Sequence, residues 1–155
     1  MKNYKFILYA MFLLALGNAC SNTPAGQVRF YSGLKVPKDV EPLYFEDHWD
    51  ISGEELVVII YQFDSVQFEQ FMSKNKFHSY ESLPLDEQVR KEKNDDGNWF
   101  NDDMYHTKFP IYGKDEDPYS HFGGFIRKQW GKGDGYKFAL YDCDRRLLIV
   151  EGYHD

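Results

Sequence analysis

Residues 122–153 read FGGFIRKQW, GKGDG, YKFALY, DCDRR and LLIVEGY in succession, and this stretch decides the fold. The apolar and aromatic runs at 122–130, 136–141 and 147–153 are typical of β-strands. The two segments between them are rich in glycine and charged residues, and their lengths suit hairpin turns. The pattern predicts a three-stranded antiparallel meander.

The middle strand of this meander has two unequal faces, because side chains alternate across a strand. One face holds Tyr136, Phe138 and Leu140. The other face holds Lys137, Ala139 and Tyr141. The first face is the more apolar, so we expect a helix to pack against it.

The N-terminal half of the chain predicts a hairpin. Residues 55–63 (ELVVIIYQF) form an unbroken apolar, β-branched run, which indicates a strand that is buried on both faces. Residues 43–49 predict the strand before it, and residues 50–53 supply the turn that joins the two.

A helix is predicted over residues 66–75. Asp64 and Gln67 have the spacing of a capping box at its start. Its face toward the sheet holds Phe68, Phe71 and Met72. A second, short helix is predicted over residues 84–92, starting at its proline. The predicted fold class is α+β: a two-layer domain with an antiparallel sheet, made of an N-terminal hairpin, one main helix and the C-terminal three-strand meander.

Length and charge restrict the chain to one acidic domain, which we place at residues 28–155. The chain has 155 residues, enough for about one domain. It carries 25 Asp and Glu against 18 Lys and Arg, a formal net charge of −7. Because affinity for nucleic acid comes largely from Lys and Arg that neutralise phosphates, no nucleic-acid partner is expected.

The first 19 residues have the three-part pattern of a secretory signal peptide. Two lysines precede the apolar run 6–16, and small residues follow it. As a helix this run of 11 residues reaches only about 16 Å, whereas a bilayer core is about 30 Å thick. A transmembrane helix is therefore not expected.

The end of this segment, Leu16-Gly17-Asn18-Ala19-Cys20, resembles the lipobox of bacterial lipoproteins. Ala19 and Cys20 match the motif, whereas the family usually has Leu at the position of Gly17. The resemblance implies cleavage before Cys20, a diacylglyceryl thioether on its sulfur and an acyl chain on its new amino group. Several acyl chains anchor a protein stably where one does not. Ordinary secretion without lipid is the alternative.

Residues 20–27 follow the proposed lipidation site as a predicted flexible tether, since they are polar and contain Pro and Gly. Within the lipoprotein family, Ser21 after the cysteine implies the outer membrane. The expected location is therefore the cell membrane or outer membrane, with the domain lipid-anchored and facing the periplasm or the exterior.

Cys143 is the second cysteine of the chain. Between Asp142 and Asp144 in a predicted turn, it has neighbours whose charge raises a thiol pKa and suppresses a thiolate nucleophile. A buried free cysteine is expected, and a disulfide with Cys20 is the alternative.

Metal ligands show no recognisable grouping in the sequence. Glu46 and His48 could share a strand face, but a zinc site needs three or four ligands. An EF-hand loop starting at Asn94 would place Trp99 where the motif requires Gly. We expect no metal and no cofactor, and an irregular calcium site in residues 94–103 stays open.

Residues 94–120 predict a long irregular excursion that is rich in Asn, Asp, Gly and Pro. Its aromatic residues include Trp99, Phe100, Tyr105 and Tyr112. With the surrounding carboxylates, these rings could bind a basic protein partner. Alternatively, the rings pack into the core and hold the loop to the domain.

No catalytic motif is present, so the chain is not expected to be an enzyme. The predicted function is that of a non-catalytic, membrane-anchored bacterial envelope lipoprotein that binds another protein. An immunity-type protein that neutralises a basic toxin is one version. The alternative is a glycan-binding or glycan-processing surface lipoprotein, because sugar rings stack on exposed aromatic faces such as those of Trp49, Trp99 and Trp130.

Metabolic labelling with a palmitate analogue tests the proposed anchor. The full chain should take up the label, and Cys20→Ala should abolish it because the acceptor sulfur is lost. Cys143→Ala is the matched control and should keep the label. A label that persists in Cys20→Ala would contradict lipidation at this residue.

Overall fold

The computed structural model describes residues 23–49, 53–89, 111–113, 116–131, 133 and 135–154. Six antiparallel strands form one sheet in the order β1-β2-β6-β5-β4-β3. The strands are β1 Tyr44–Trp49, β2 Glu55–Gln62, β3 Glu81–Leu83, β4 Gly123–Gln129, β5 Tyr136–Asp142 and β6 Leu147–His154. The helices are α1 Pro24–Ser32 and α2 Ser65–Lys74, and Pro118–Ser120 form a 3₁₀ turn. The architecture is an α+β fold of two layers, as predicted.

Both predicted supersecondary units are confirmed. β1 and β2 pair as a hairpin, with Tyr44 opposite Ile60. β4, β5 and β6 form the meander, and β6 also pairs with β2, which joins the two units into one sheet. The middle of β2 is buried on both faces, because alternate residues enter two separate clusters of core side chains.

Helix α2 begins as its sequence predicts. The Asp64 carboxylate accepts a hydrogen bond from the Gln67 N–H at 2.8 Å, and the Gln67 side chain accepts one from the Asp64 N–H at 2.9 Å. Phe71 is fully buried and stacks on Phe63 at 5.1 Å. Of the second predicted helix, residues 87–89 are helical and residues 90–92 lie outside the described part of the chain.

Helix α1 was not predicted, and it corrects the proposed tether at residues 20–27. Thr23 caps the helix through its hydroxyl, Pro24 occupies its first turn, and Gly33 ends it in the left-handed conformation at φ 76°. These are favoured residue types at those positions. Residues 24–27 therefore belong to a helix and are not a flexible tether. Burial of Gln27 and Val28 against the sheet stabilises this first turn of α1.

The helices lie on the face of the sheet opposite to the one predicted. Both helices share a core cluster with Ala139, Tyr141 and Val150, whereas Phe138 and Leu140 lie on the other face. That other face is covered by side chains of the irregular segments, namely Leu85, Ile111, Tyr112 and Tyr119.

The size of the side chains explains this choice of face. Ala139 and Gly152 are small and leave room for a helix to approach, and α1 packs directly on β5 and β6. A Cβ at Gly152 would lie 2.1 Å from the ring of Tyr31. On the more apolar face, large side chains of the strands already fill the space next to the sheet. Side chains from non-helical segments cover this face instead of a helix.

Gly152→Ala should destabilise the domain by about 1–3 kcal/mol, because the added methyl overpacks the contact between α1 and the sheet. Urea denaturation followed by circular dichroism measures the change. Val66→Ala is the control, because Val66 lies on α2 and is 62% exposed. It should change stability by no more than about 0.5 kcal/mol. Equal stability of Gly152→Ala and the wild type would contradict this account of the packing.

Candidate functional site

The residues predicted to bind a partner are only partly described. Cys20, Trp99, Phe100 and Tyr105 lie outside the described residues. Tyr112 is 1% exposed, so it does not belong to a partner-binding surface. Its ring packs in the core instead, because a long loop is held to the domain by its apolar side chains.

Tyr112 belongs to a polar network on the face of the sheet opposite to the helices. Its hydroxyl donates to the fully buried carboxylate of Asp142 at 3.0 Å, and burial raises the pKa of this phenol. The N–H of Arg145 donates to the same carboxylate at 2.9 Å. The Arg145 guanidinium in turn contacts the Glu116 carboxylate and donates to the carbonyl of Ile111. The network fastens Ile111, Tyr112 and Glu116 to the turn between β5 and β6.

His121 joins this network from the other side. Its Nε2 lies 3.0 Å from Glu116, and its Nδ1 lies 2.8 Å from Asp142 without the geometry of a hydrogen bond. Ligand atoms of His121, Asp142 and Asp144 lie within 4.8 Å of one another, so these residues could hold a metal ion. Both carboxylates already accept backbone hydrogen bonds, from Arg145 and from Phe122, which gives them a structural role.

Cys143 is a free thiol that packs at the border of the helix-side core. Burial raises its pKa, and the charges of Asp142 and Asp144 add to the effect, as the sequence predicted. A thiol of raised pKa is a weak nucleophile at neutral pH. Of the other metal candidates, Glu46 accepts a hydrogen bond from the Tyr44 hydroxyl, His48 is exposed, and residues 94–103 lie outside the described residues.

A groove of about 260 Å³ lies on the helix side of the sheet. We call it the edge groove, and its lining residues are Gln27, Phe30, Tyr31, Asp47, Trp49, Glu55 and Trp130. Three come from one face of α1, where side chains at i, i+3 and i+4 are neighbours. Asp47 and Trp49 share one face of β1 because they are two residues apart, and Trp49 pairs directly with Glu55.

Hydrogen bonds fix the polar side chains of the edge groove. The Gln27 amide nitrogen donates to the Asp47 carboxylate at 2.7 Å, and the Tyr31 hydroxyl donates to the Glu55 carboxylate at 3.0 Å. Since a carboxylate can only accept, Gln27 must turn its NH₂ toward Asp47 and its oxygen away. That oxygen is buried and accepts no hydrogen bond from a described residue.

Aromatic rings form the rest of the edge groove. Phe30 is 55% exposed and Trp49 is 65% exposed. Phe30 also packs edge-to-face on Trp130 at 5.7 Å. The Lys137 ammonium lies 3.8 Å from the centre of the Phe30 ring and 4.6 Å from that of Trp130, within the range of cation–π attraction. Burial lowers the pKa of Lys137, although the charge of Glu55 opposes this effect.

A larger cavity of about 490 Å³ lies where β2 ends and β6 begins. Arg145 and Arg146 border it. The Arg145 guanidinium already donates hydrogen bonds to Glu116 and to the carbonyl of Ile111. It therefore has fewer N–H groups left to bind a ligand in this cavity. The edge groove is the better candidate because it combines exposed rings with carboxylates.

Comparison with known proteins returns no relative: no protein-family model, no curated protein and no solved structure matches this chain. Among the described residues, no helix has both the length and the apolar character needed to cross a membrane.

Sequence reasoning missed the edge groove because it missed α1. Thr23, Pro24 and Gly33 together are a recognisable signal for a nine-residue helix, and their spacing could have located it. No local pattern connects Phe30 with Trp49 or Trp130, since these residues come from different elements.

Glu116→Gln tests the polar network through the pH dependence of stability. The Gly113 N–H and the Arg145 guanidinium lower the pKa of Glu116, although partial burial opposes them. A carboxyl whose pKa is lower in the folded state stabilises the fold above its unfolded pKa of about 4.3, and this contribution is lost as the pH falls through the folded pKa.

We therefore expect Glu116→Gln to be about 1 kcal/mol less stable than the wild type at pH 7. The difference should shrink on acidification to pH 3, as measured by urea denaturation at both values. Glu69→Gln, on the exposed surface of α2, is the control. A difference that is equally large at both pH values would contradict the role assigned to the carboxylate.

Proposed function

We propose that the protein is a non-catalytic, lipid-anchored lipoprotein of the bacterial envelope that binds a basic segment of another protein in the edge groove. The observation that carries this proposal is the exposed ring of Trp49 beside the carboxylates of Asp47 and Glu55. Interface anchors are commonly aromatic, and carboxylates attract a basic partner before contact.

Charge distribution supports a basic partner. Residues 20–120 hold 20 Asp and Glu against 10 Lys and Arg, and they supply every residue of the edge groove except Trp130. Such an excess of negative charge speeds the encounter with a positively charged protein and disfavours a negatively charged one. A basic toxin neutralised at the envelope is one partner of this chemistry.

Along the chain, α1 begins close to the proposed anchor. Cys20 lies three positions before Thr23, the N-cap of α1, with two residues between them. At about 3.5 Å per residue, this connection spans roughly 11 Å. A lipid on Cys20 would therefore hold the groove near the headgroups, where it would meet partners that are in or on the membrane.

The groups that line the edge groove suit binding rather than a reaction. Its polar side chains already orient one another by hydrogen bonds, and its remaining surface is aromatic. The free thiol of Cys143 is not among the lining residues, and its pKa is raised.

A glycan ligand is the second candidate, and the exposure of Trp49 favours it specifically. Sugar rings stack on exposed indole faces, and their hydroxyls could donate to Asp47 and Glu55. A neutral glycan would depend on the ring of Trp49 and much less on the two negative charges. This difference separates it from a basic protein.

Site-directed photo-crosslinking in native membranes tests the proposed function. A photoreactive phenylalanine analogue at position 49 should give a discrete protein adduct, whereas the same analogue at position 66 on exposed α2 should not. Trp49→Ala should weaken capture of that partner more than tenfold, because central aromatic anchors contribute about 2 kcal/mol or more.

Identical adducts from positions 49 and 66, or no adduct from either, would contradict a protein partner in the groove. Binding of a neutral oligosaccharide that Trp49→Ala abolishes and Glu55→Gln leaves intact would favour the glycan instead.

A further inference from the structure

We propose that the edge groove is a guanidinium pocket that receives one arginine side chain of the partner. This inference rests on the proposed function and specifies the chemical group that anchors the partner. The guanidinium would lie against the Trp49 ring and donate hydrogen bonds to the carboxylates of Asp47 and Glu55.

The two carboxylates of the edge groove, each held by an internal hydrogen bond, are the first argument for such a ligand. The Gln27 amide nitrogen donates to Asp47 at 2.7 Å, and the Tyr31 hydroxyl donates to Glu55 at 3.0 Å. Each carboxylate can accept further hydrogen bonds through its remaining lone pairs. Because the carboxylates are already held in place, a ligand does not have to order them on binding.

The second argument is that both charged side chains lining the edge groove are carboxylates. Their remaining lone pairs are best satisfied by a ligand that brings hydrogen-bond donors. Among the described residues, the Lys137 ammonium lies on the rings of Phe30 and Trp130, and the charge of Glu55 acts on it. Two negative charges beside this one positive charge leave the site negative, so it favours a cation.

The third argument distinguishes arginine from lysine. A guanidinium is planar, stacks on aromatic rings and presents five donors in a fixed fork, whereas an ammonium is compact and strongly hydrated. The ring of Trp49 is 65% exposed and offers a stacking surface next to the acceptors. The groove thus matches the shape of a guanidinium as well as its charge.

Lys137 and the volume of the edge groove set the limits of the pocket. The Lys137 ammonium already lies on the rings of Phe30 and Trp130, so an incoming cation is directed toward Trp49. A volume of about 260 Å³ is below the roughly 300–1,000 Å³ of pockets for drug-sized ligands. The groove is therefore suited to a single side chain.

Titration of the full chain in detergent micelles with blocked tripeptides tests the pocket. The three probes are acetyl-Gly-Arg-Gly-amide, its lysine counterpart and its citrulline counterpart, and the indole N–H signals of the tryptophans report binding by NMR. The arginine peptide should bind at least fivefold more tightly than the lysine peptide. It should bind at least tenfold more tightly than the citrulline peptide, which keeps the shape and loses the charge.

Asp47→Asn and Glu55→Gln should each weaken binding of the arginine peptide at least fivefold. Both substitutions keep an oxygen that can accept the internal hydrogen bonds from Gln27 and Tyr31, so the fold should be retained, which circular dichroism verifies. Glu69→Gln removes the same charge outside the groove and should leave the affinity unchanged.

Equal affinity for the arginine and citrulline peptides would overturn the proposal, and so would unchanged affinity in both groove variants. Displacement of the arginine peptide by chitotriose at lower concentration would also overturn it, in favour of a glycan. A protein partner whose capture is insensitive to Asp47→Asn and Glu55→Gln would overturn the pocket and leave the proposed function standing. Selective binding of the arginine peptide with no captured protein would support the pocket and count against the proposed function.

Discussion

The contact between Tyr31 and Gly152 is the constraint on which the helix side of the molecule depends. A methyl group at position 152 would lie 2.1 Å from the Tyr31 ring, so α1 can occupy its position only because β6 has no side chain there. Once seated, Tyr31 donates to Glu55 of β2, which ties the helix to the neighbouring hairpin. The same seating turns Phe30 and Gln27 toward the edge of the sheet. The edge groove is thus a consequence of one close approach.

The two faces of the sheet are covered by different physical means. The helix side relies on aromatic packing, in which Phe71 stacks on Phe63 and Phe77 contacts Tyr141 at 4.3 Å. The opposite side buries a carboxylate, that of Asp142, and satisfies it with a phenol and a backbone N–H. A buried charge is tolerated only when it is hydrogen-bonded in this way, so the network fixes Tyr112 against the sheet.

Within the edge groove, internal hydrogen bonds determine what a ligand must supply. Gln27 and Tyr31 hold the two carboxylates by hydrogen bonds, and the remaining lone pairs of these carboxylates stay available to a donor from the ligand. Pre-oriented acceptors beside an exposed indole give selectivity for the number and geometry of donors, with little reorganisation on binding. This is the property that relates the structure to the proposed recognition of a basic partner.

The sequence by itself determined the elements whose causes are local. The capping box at Asp64, the unbroken run of β2 and the three strands of the meander each depend on neighbours within a few residues, and the structure confirms each. Helix α1 also has a local signal, in Thr23, Pro24 and Gly33. The polar composition of residues 20–27 nevertheless predicts a flexible tether there, and this prediction is wrong for residues 24–27. Only the tertiary structure decided which face of the sheet receives the helices, because that choice depends on the sizes of Ala139 and Gly152 relative to Tyr31. Only the tertiary structure assembled the edge groove. Its residues come from α1, β1, β2 and the position that follows β4, and they meet through packing rather than through spacing along the chain.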